Sequence, residues 1–354
     1  GSVVVMKVQT GEIIAITSKP SFNPNLFAGG ISSENWRTLV SDEWHPLQNR
    51  SIHGQYPPGS TYKMVTALAG LEEGVIKPDT TIYCPGHFKL GRGRYRCWKK
   101  SGHGSMNLHD ALVQSCDVYF YTIGHRLGID TIAKYAQRFG LGSSTRLGLS
   151  REKRGLIPTT QWKLLNKKEP WQLGETISAS IGQGYNLVTP IQQVIMMAAM
   201  ANGGTLLKPY LVKRIEGPDG QVQKEFFPEI TGQVGVKPEY LEQVRMAMRG
   251  VVNEPRGTGK KSRMKNIIVS GKTGTAQVVR MKSNEELEKG EAIPFKYQDH
   301  AWFVAFAPYE KPEIAVAIIV EHGGHGGATA GPIAGKLFKK YFKLYPPAPV
   351  VETF

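Results

Sequence analysis

The sequence predicts an α+β fold: an antiparallel sheet assembled from both chain ends, with a helical subdomain inserted between them. Three observations predict it. Residues 3–17 read as a strand, a turn at Thr10-Gly11 and a second strand. Residues 266–279, 300–308 and 313–321 read as three more strands, the last two joined by the turn-rich Pro308-Tyr309-Glu310-Lys311-Pro312. Between these groups apolar residues recur at helical spacing, over 61–73, 107–127, 129–139, 190–202 and 238–252. The sheet therefore draws on 3–17 and 266–321, and the helical subdomain on roughly 60–250. Residues 281–299 are charged and aperiodic and read as a long mobile loop. An amphipathic helix follows over 335–344, and 346–354 read as a frayed tail.

A chain of 354 residues, 40% of them hydrophobic, can bury one large core or two ordinary ones. No run of 18 apolar residues occurs, and the amino terminus has no signal-peptide pattern. Gly1-Ser2 read as a cloning scar before a strand pattern, as in an excised domain. The formal charge of +15 favours anionic surroundings. No basic run carries interleaved aromatics at a nucleic-acid motif spacing, so no nucleic-acid partner is expected.

The chemistry concentrates in three short stretches. In YPPGSTYKMVTAL, residues 56–68, the prolines and Gly59 force a turn, and Met64, Val65, Leu68 and Leu71 start a helix. Ser60 then falls on the first turn, with Lys63 on the same face and within reach of its hydroxyl. Its backbone N–H is an unpaired donor at a helix start. A nucleophile, a base and half of an oxyanion hole thus lie in one segment. The plain alternative is a capping serine beside a solvated lysine. In ALVQSCDVYFYTIG, residues 111–124, Ser115 and Asp117 sit where an apolar helix breaks; extended backbone would point both the same way. A loop serine and a helix-capping aspartate is the alternative. In VSGKTGTAQ, residues 269–277, Lys272 and Thr273 precede Gly274 in a strand that could accept an extended peptide along its edge. Strand alternation sends Lys272 and Thr273 to opposite faces, and an ordinary turn is the alternative there.

Taken in order, S-x-x-K, S-x-D and K-T-G form the set found in serine β-lactamases and penicillin-binding proteins. The stretches PLQNRSIHGQYPPGSTYK and GKTGTAQ resemble class B penicillin-binding proteins, the monofunctional peptidoglycan transpeptidases. YRCWKKSGHGSMNLHDALVQSCDVYFY is most similar to their elongation-specific group, penicillin-binding protein 2, and KVQTGEIIAITSKPSFNPN resembles the first hairpin of that domain. The resemblance covers nearly the whole chain and implies the penicillin-binding/serine β-lactamase-like transpeptidase fold over 3–345, without the family's membrane helix and most of its pedestal. Asp117 departs from the Asn common in the wider superfamily and, when ionised, can only accept hydrogen bonds.

The resemblance implies these roles. Ser60 attacks the penultimate D-alanine carbonyl of a D-Ala-D-Ala stem peptide, or a β-lactam. Lys63 takes the proton and must then be neutral, helped by Lys272 nearby. The N–H groups of Ser60 and Thr275 hold the oxyanion, Ser115 relays a proton to the departing D-alanine, and Asp117 orients the network. Lys272 and Thr273, beside Gly274, bind the substrate carboxylate. An amine on a second stem peptide completes the crosslink, and no cofactor is needed for catalysis. The parent protein would be anchored in the inner membrane with this domain in the periplasm, and RodA and MreC would be its partners. A class A β-lactamase would need a Glu where WKLLN, residues 162–166, has Trp162. A D-alanine carboxypeptidase and a non-catalytic β-lactam sensor stay open as alternatives.

The three cysteines cannot all pair within the chain. Cys84, Cys97, His103 and Cys116 run as C-x12-C-x5-H-x12-C, a sound donor set for tetrahedral zinc. Cys116 lies inside the S-x-D motif, so a metal behind that loop would brace the catalytic serine. The elongation-specific group resembles this arrangement, with zinc in the same region. A structural zinc is therefore expected, with His87 and His109 as substitute ligands. Buried free thiols or a disulfide are the alternatives.

Overall fold

The structure, a computed structural model, describes residues 1–278 and 294–347. Its strands are β1 (Ser2–Lys7), β2 (Ile13–Ser18), β3 (Ile82–Cys84), β4 (His87–Leu90), β5 (Gly93–Arg96), β6 (Gly104–Met106), β7 (Thr205–Leu207), β8 (Arg214–Glu216), β9 (Val222–Glu225), β10 (Ile230–Gln233), β11 (Ser270–Ala276), β12 (His300–Ala307) and β13 (Ile314–Val320). Its helices are α1 (Ser33–Ser41), α2 (Arg50–His53), α3 (Lys63–Glu72), α4 (Leu108–Val113), α5 (Asp117–Leu127), α6 (Ile129–Arg138), α7 (Thr160–Lys167), α8 (Leu173–Ala179), α9 (Pro190–Ala201), α10 (Pro238–Asn253) and α11 (Gly326–Leu344).

The main sheet runs β11-β12-β13-β1-β2, antiparallel throughout, so the two chain ends meet where β1 pairs with β13. Both faces of its centre are covered. Val4, Met6, Trp302, Val304 and Ala317 face the core that contains α9; Val5, Phe303, Ala305 and Val316 face Ala330, Ala334 and Phe338 of α11. That is why β12 and β13 read as near-continuous apolar runs, whereas the edge strand β2 is largely exposed. Helix α9 is buried along its whole length, and its start is closed by a Thr189–Gln192 capping box.

The structure departs from expectation at several elements. The third-last strand is Ser270–Ala276 rather than 266–279, whose last residue lies outside the described residues. The helical stretch 107–127 divides into α4 and α5 around Ser115, which has a left-handed backbone (φ 56°). The last helix begins at Gly326, nine residues before the expected 335; its Gly- and Pro-containing first turns read as loop, but packing against β12 carries the helix through them. Four helices, α1, α2, α7 and α8, the short pairs β3–β6 and β4–β5 around the cysteines, and the short pairs β7–β10 and β8–β9 lie outside the expected elements. Strands of three or four residues carry too little periodicity to read. Of the expected 281–299 loop, 281–293 lie outside the described residues, and Phe295–Tyr297 form a 3₁₀ turn. The tail beyond 347 is likewise outside them.

Candidate active site

Ser60 stands in a 3₁₀ turn, Gly59–Tyr62, that leads into α3, rather than in the α-helix itself. The turn is pinned from three sides. Gly59 N donates to Gly182 O at 2.9 Å, Trp302 Nε1 to Pro57 O at 3.0 Å, and Thr61 Oγ1 to Pro58 O at 2.9 Å. Gln193 of α9 in turn donates to Thr61 Oγ1 at 2.9 Å. Two glycines let β11 lie directly against this turn. Gly59 has φ +55°, and a Cβ there would stand 2.4 Å from Thr275 O. A Cβ on Gly274 would stand 2.9 Å from Trp302 Cβ and 3.0 Å from Pro58 O.

Lys63 is fully buried behind Ser60. Its Nζ donates to Asp117 Oδ1 at 2.6 Å, to Ser115 O at 2.8 Å and to Ser115 Oγ at 3.2 Å. The expected Lys63–Ser60 hydrogen bond is absent among the described residues, because Asp117 and Ser115 hold Lys63 Nζ instead. Lys272 is also fully buried, and its Nζ donates to Ser115 Oγ at 2.9 Å and to Thr273 O at 3.1 Å. Ser115 Oγ therefore sits between two lysine amines. Asp117 Oδ2 accepts from Trp98 N at 2.8 Å, and Trp98 Nε1 donates to Gln114 O and Ser115 O, each at 3.1 Å.

The electrostatics are uneven. Burial, reinforced by the charge on Lys63, holds Lys272 well below the usual lysine range, while Asp117 pulls it the other way. Among the described residues Lys272 has no carboxylate in hydrogen-bond contact, whereas Lys63 Nζ is held by Asp117. Burial likewise pushes the Asp117 carboxyl up, against the pull of Lys63. The Lys272 shift sets a pH dependence. Unfolded, Lys272 keeps its proton up to about pH 10.4; folded, it releases the proton at a lower pH. In the window between, the unfolded chain binds more protons, so this group makes stability rise with pH. Urea titrations of wild type and Lys272→Met at pH 7 and pH 9 should show the difference moving in favour of wild type at pH 9. A difference that does not change with pH contradicts the assignment.

Thr273, Gly274 and Thr275 border a cleft of about 570 Å³ that also takes in Ser60, Ser115 and Asp117. Alternation along β11 is kept: Lys272 passes beneath the cleft floor, and Thr273 points into it. Both reach the site because the cleft opens at the free edge of β11. Thr273 Oγ1 lies 2.8 Å from Thr258 Oγ1. Thr258 escaped the sequence reading, although the Gly-rich basic stretch RGTGKKS around it is a local signal. Gln183, Gln193 and Trp98 escaped it too, since their roles rest on partners far away in the chain.

Cys84, Cys97, His103 and Cys116 converge on the far side of the Ser115 loop, with their ligand atoms within 4.8 Å of one another. The three cysteines are buried free thiols. Cys84 Sγ and Cys97 Sγ lie 3.6 and 3.5 Å from His103 Nδ1. Cys116 hydrogen bonding pulls Cys84 and Cys97 below the usual thiol range and pushes Cys116 up. The segment is not extended as expected, since Cys116 (φ −66°, ψ 116°) stands between the left-handed Ser115 and the helical Asp117; Cys116 Sγ joins the cluster while Ser115 and Asp117 border the cleft. The substitute ligands lie elsewhere: His87 pairs with Arg94, and His109 with Glu254.

Comparison with known proteins places this site in context. Residues 1–342 match the penicillin binding protein transpeptidase domain. A curated relative, peptidoglycan D,D-transpeptidase MrdA of Haemophilus influenzae, is 39% identical over 359 residues, covering 100% of this chain and 54% of the relative. The chain thus spans about half the length of that relative. Pseudomonas aeruginosa PBP2, solved in complex with WCK 5153, superposes with a TM-score of 0.86 at 37% identity, over 97% of this chain and 71% of that one. Helicobacter pylori PBP2, solved in complex with MreC, superposes with a TM-score of 0.85 at 34% identity, over 98% and 60%.

Proposed function

The chain belongs to the penicillin-binding protein transpeptidase family, and from that membership we propose that it is a serine D,D-transpeptidase domain that crosslinks peptidoglycan stem peptides during cell elongation and is acylated by β-lactams. The observation that carries the reading is the run Lys63–Ser115–Lys272, joined at 3.2 and 2.9 Å through one hydroxyl, behind a serine that faces the cleft.

The chemistry follows from that arrangement. Two ammonium groups on one hydroxyl repel, so the pair favours the state with one proton fewer, and an amine lone pair is left to take a proton. A substrate carboxylate arriving at Thr273 draws the one remaining proton through Ser115 Oγ onto Lys272 and leaves the lone pair on Lys63. Ser60 Oγ then bonds to the carbonyl carbon of the penultimate D-alanine as its proton passes to Lys63. The oxyanion is held by the N–H groups of Ser60 and Thr275; one such donor is worth about 3–4 kcal/mol in comparable sites. The C–N bond to the terminal D-alanine breaks, and Ser115 hands the proton to the departing amine. Asp117 anchors Lys63 throughout. The Thr273 hydroxyl, joined by Thr258, receives the substrate carboxylate, with Lys272 supplying positive charge from beneath and Gly274 keeping the strand close. An amine of a second stem peptide then attacks the acyl-enzyme, and Ser60 regains its proton.

The test is the lifetime of the adduct. A labelled penicillin should remain bound for hours, and the domain should join a D-Ala-D-Ala peptide to an amine acceptor. Turnover within seconds would instead indicate a β-lactamase, and stable labelling with no crosslinking would indicate a sensor. The longer protein would be anchored in the inner membrane with this domain in the periplasm; among the described residues no helix is long and apolar enough to cross a membrane. RodA and MreC are its proposed partners, the latter supported by the Helicobacter complex.

The cysteine cluster supports a structural zinc held by Cys84, Cys97, His103 and Cys116. Ligands about 2.3 Å from a tetrahedral zinc stand about 3.7 Å apart, close to the 3.5 and 3.6 Å between the thiols and His103 Nδ1. The metal would supply no reaction chemistry; it would tie the Ser115 loop to β3 and to the segment after β5. Protein purified without added metal should contain about one zinc per chain, and chelation should lower the melting temperature by about 5 °C or more and slow acylation. Metal-free protein with a Cys–Cys bond would end this reading.

A further inference from the structure

β11 is the terminal strand of its sheet, and its outer edge borders the cleft. A free edge offers N–H and C=O groups to an extended peptide. Two of those groups are already engaged. Gln183 Nε2 donates to Thr275 O at 2.9 Å, and Gln183 Oε1 accepts from Gln277 N at 3.3 Å. A residue of an added parallel strand makes the same pair of bonds: its N–H goes to one carbonyl and its C=O to the amide two residues further on. One carboxamide therefore imitates one residue of a docked strand, opposite Ala276.

The loop that carries Gln183 is firmly set. Gln183 N donates to Ser178 O at 3.1 Å, and the buried Asn186 donates to Ala179 O and Gln183 O at 3.0 and 3.1 Å. The preceding residue, Gly182, accepts from Gly59 N, next to Ser60. The backbone is thus fixed to the nucleophile turn, and only the half-buried side chain extends along the edge.

We propose that Gln183 is a specificity residue for the peptide arm of the ligand. In the free site its carboxamide occupies the carbonyl that an arriving peptide N–H needs. A ligand with an amide arm must displace that donor or share the carbonyl with it, so its gain along the edge is partly cancelled. A ligand without an amide arm gives nothing back. Gln183 thereby sets how strongly the site prefers peptide-like arms, and also where along the edge their pairing stops. The inference rests on the acyl-transfer reading above and names the part of the site that reads the acyl donor.

The experiment compares two β-lactams on wild type, Gln183→Ala and Gln183→Met. Benzylpenicillin carries a side-chain amide; imipenem carries a hydroxyethyl group in its place. Second-order acylation constants are read from intact mass against time. The ratio of benzylpenicillin to imipenem should rise about three- to tenfold in both variants, the worth of one exchanged hydrogen bond. Gln183→Met keeps the side-chain length and tests the idea even if the shorter alanine lets the loop collapse. A general disturbance of the site would slow both compounds alike, so an unchanged or lower ratio in a variant that still melts cooperatively overturns the inference. If neither compound acylates the wild type, the acyl-transfer reading falls and takes this inference with it.

Discussion

Replacing Ser60 with Ala should abolish labelling by penicillin, a loss of about 10⁴-fold or more in acylation, with little change in stability. The size follows from removing the proposed nucleophile; losing a nucleophile from comparable serine machinery costs at least that much. The small structural effect follows from the geometry. Among the described residues the Ser60 hydroxyl makes no hydrogen bond, and the turn is held by Gly59 N, Thr61 Oγ1 and Trp302 Nε1 instead. Removing a single unpaired oxygen there should cost no more than about 0.5 kcal/mol. Intact mass after incubation with penicillin, followed by peptide mapping, reads the result. An adduct on Ser115 would overturn the assignment, since Ser115 Oγ is engaged by both lysines and is assigned here as a relay.

Lys63→Met should lose acylation as well, but it should also destabilise the protein. Lys63 is fully buried and pairs with Asp117 at 2.6 Å. Without it the Asp117 carboxylate is buried without its cation, and breaking one side of such a pair costs about 3–5 kcal/mol. The double variant Lys63→Met/Asp117→Asn separates the two effects. It removes the stranded charge and should recover most of the stability while leaving acylation lost. Denaturant titration and penicillin labelling, run on the same samples, check both halves. A Lys63→Met protein that acylates at the wild-type rate would sink the proposed proton path.

The motifs were legible in the sequence because each is local. A Pro-Pro-Gly turn followed by apolar residues at helical spacing predicts that Ser60 and Lys63 share a face, whatever the rest of the chain does. The break in the apolar run around Ser115 and the Gly within the K-T-G strand are equally short-range signals. The sheet built from both chain ends was legible too, since its strands are long and, at the centre, apolar on both faces. Less of the wiring could be read. That Asp117 captures Lys63, that Ser115 bridges two amines and that Thr258 stands beside Thr273 depend on contacts between segments far apart in the chain.

What the sequence determined by itself, then, is which residues carry chemistry and in what order they come, because turn geometry and side-chain period act within a few residues. The tertiary structure alone decided which lysine is depressed, which hydroxyl joins the two amines, and that Gln183 caps the edge of β11. It also decided that the last helix begins at Gly326, where packing against β12 overrides the local preference of Gly and Pro. The physical reason is the same in each case. Desolvation and hydrogen-bond pairing are set by what surrounds a group in space, and the sheet brings together residues that no local period relates.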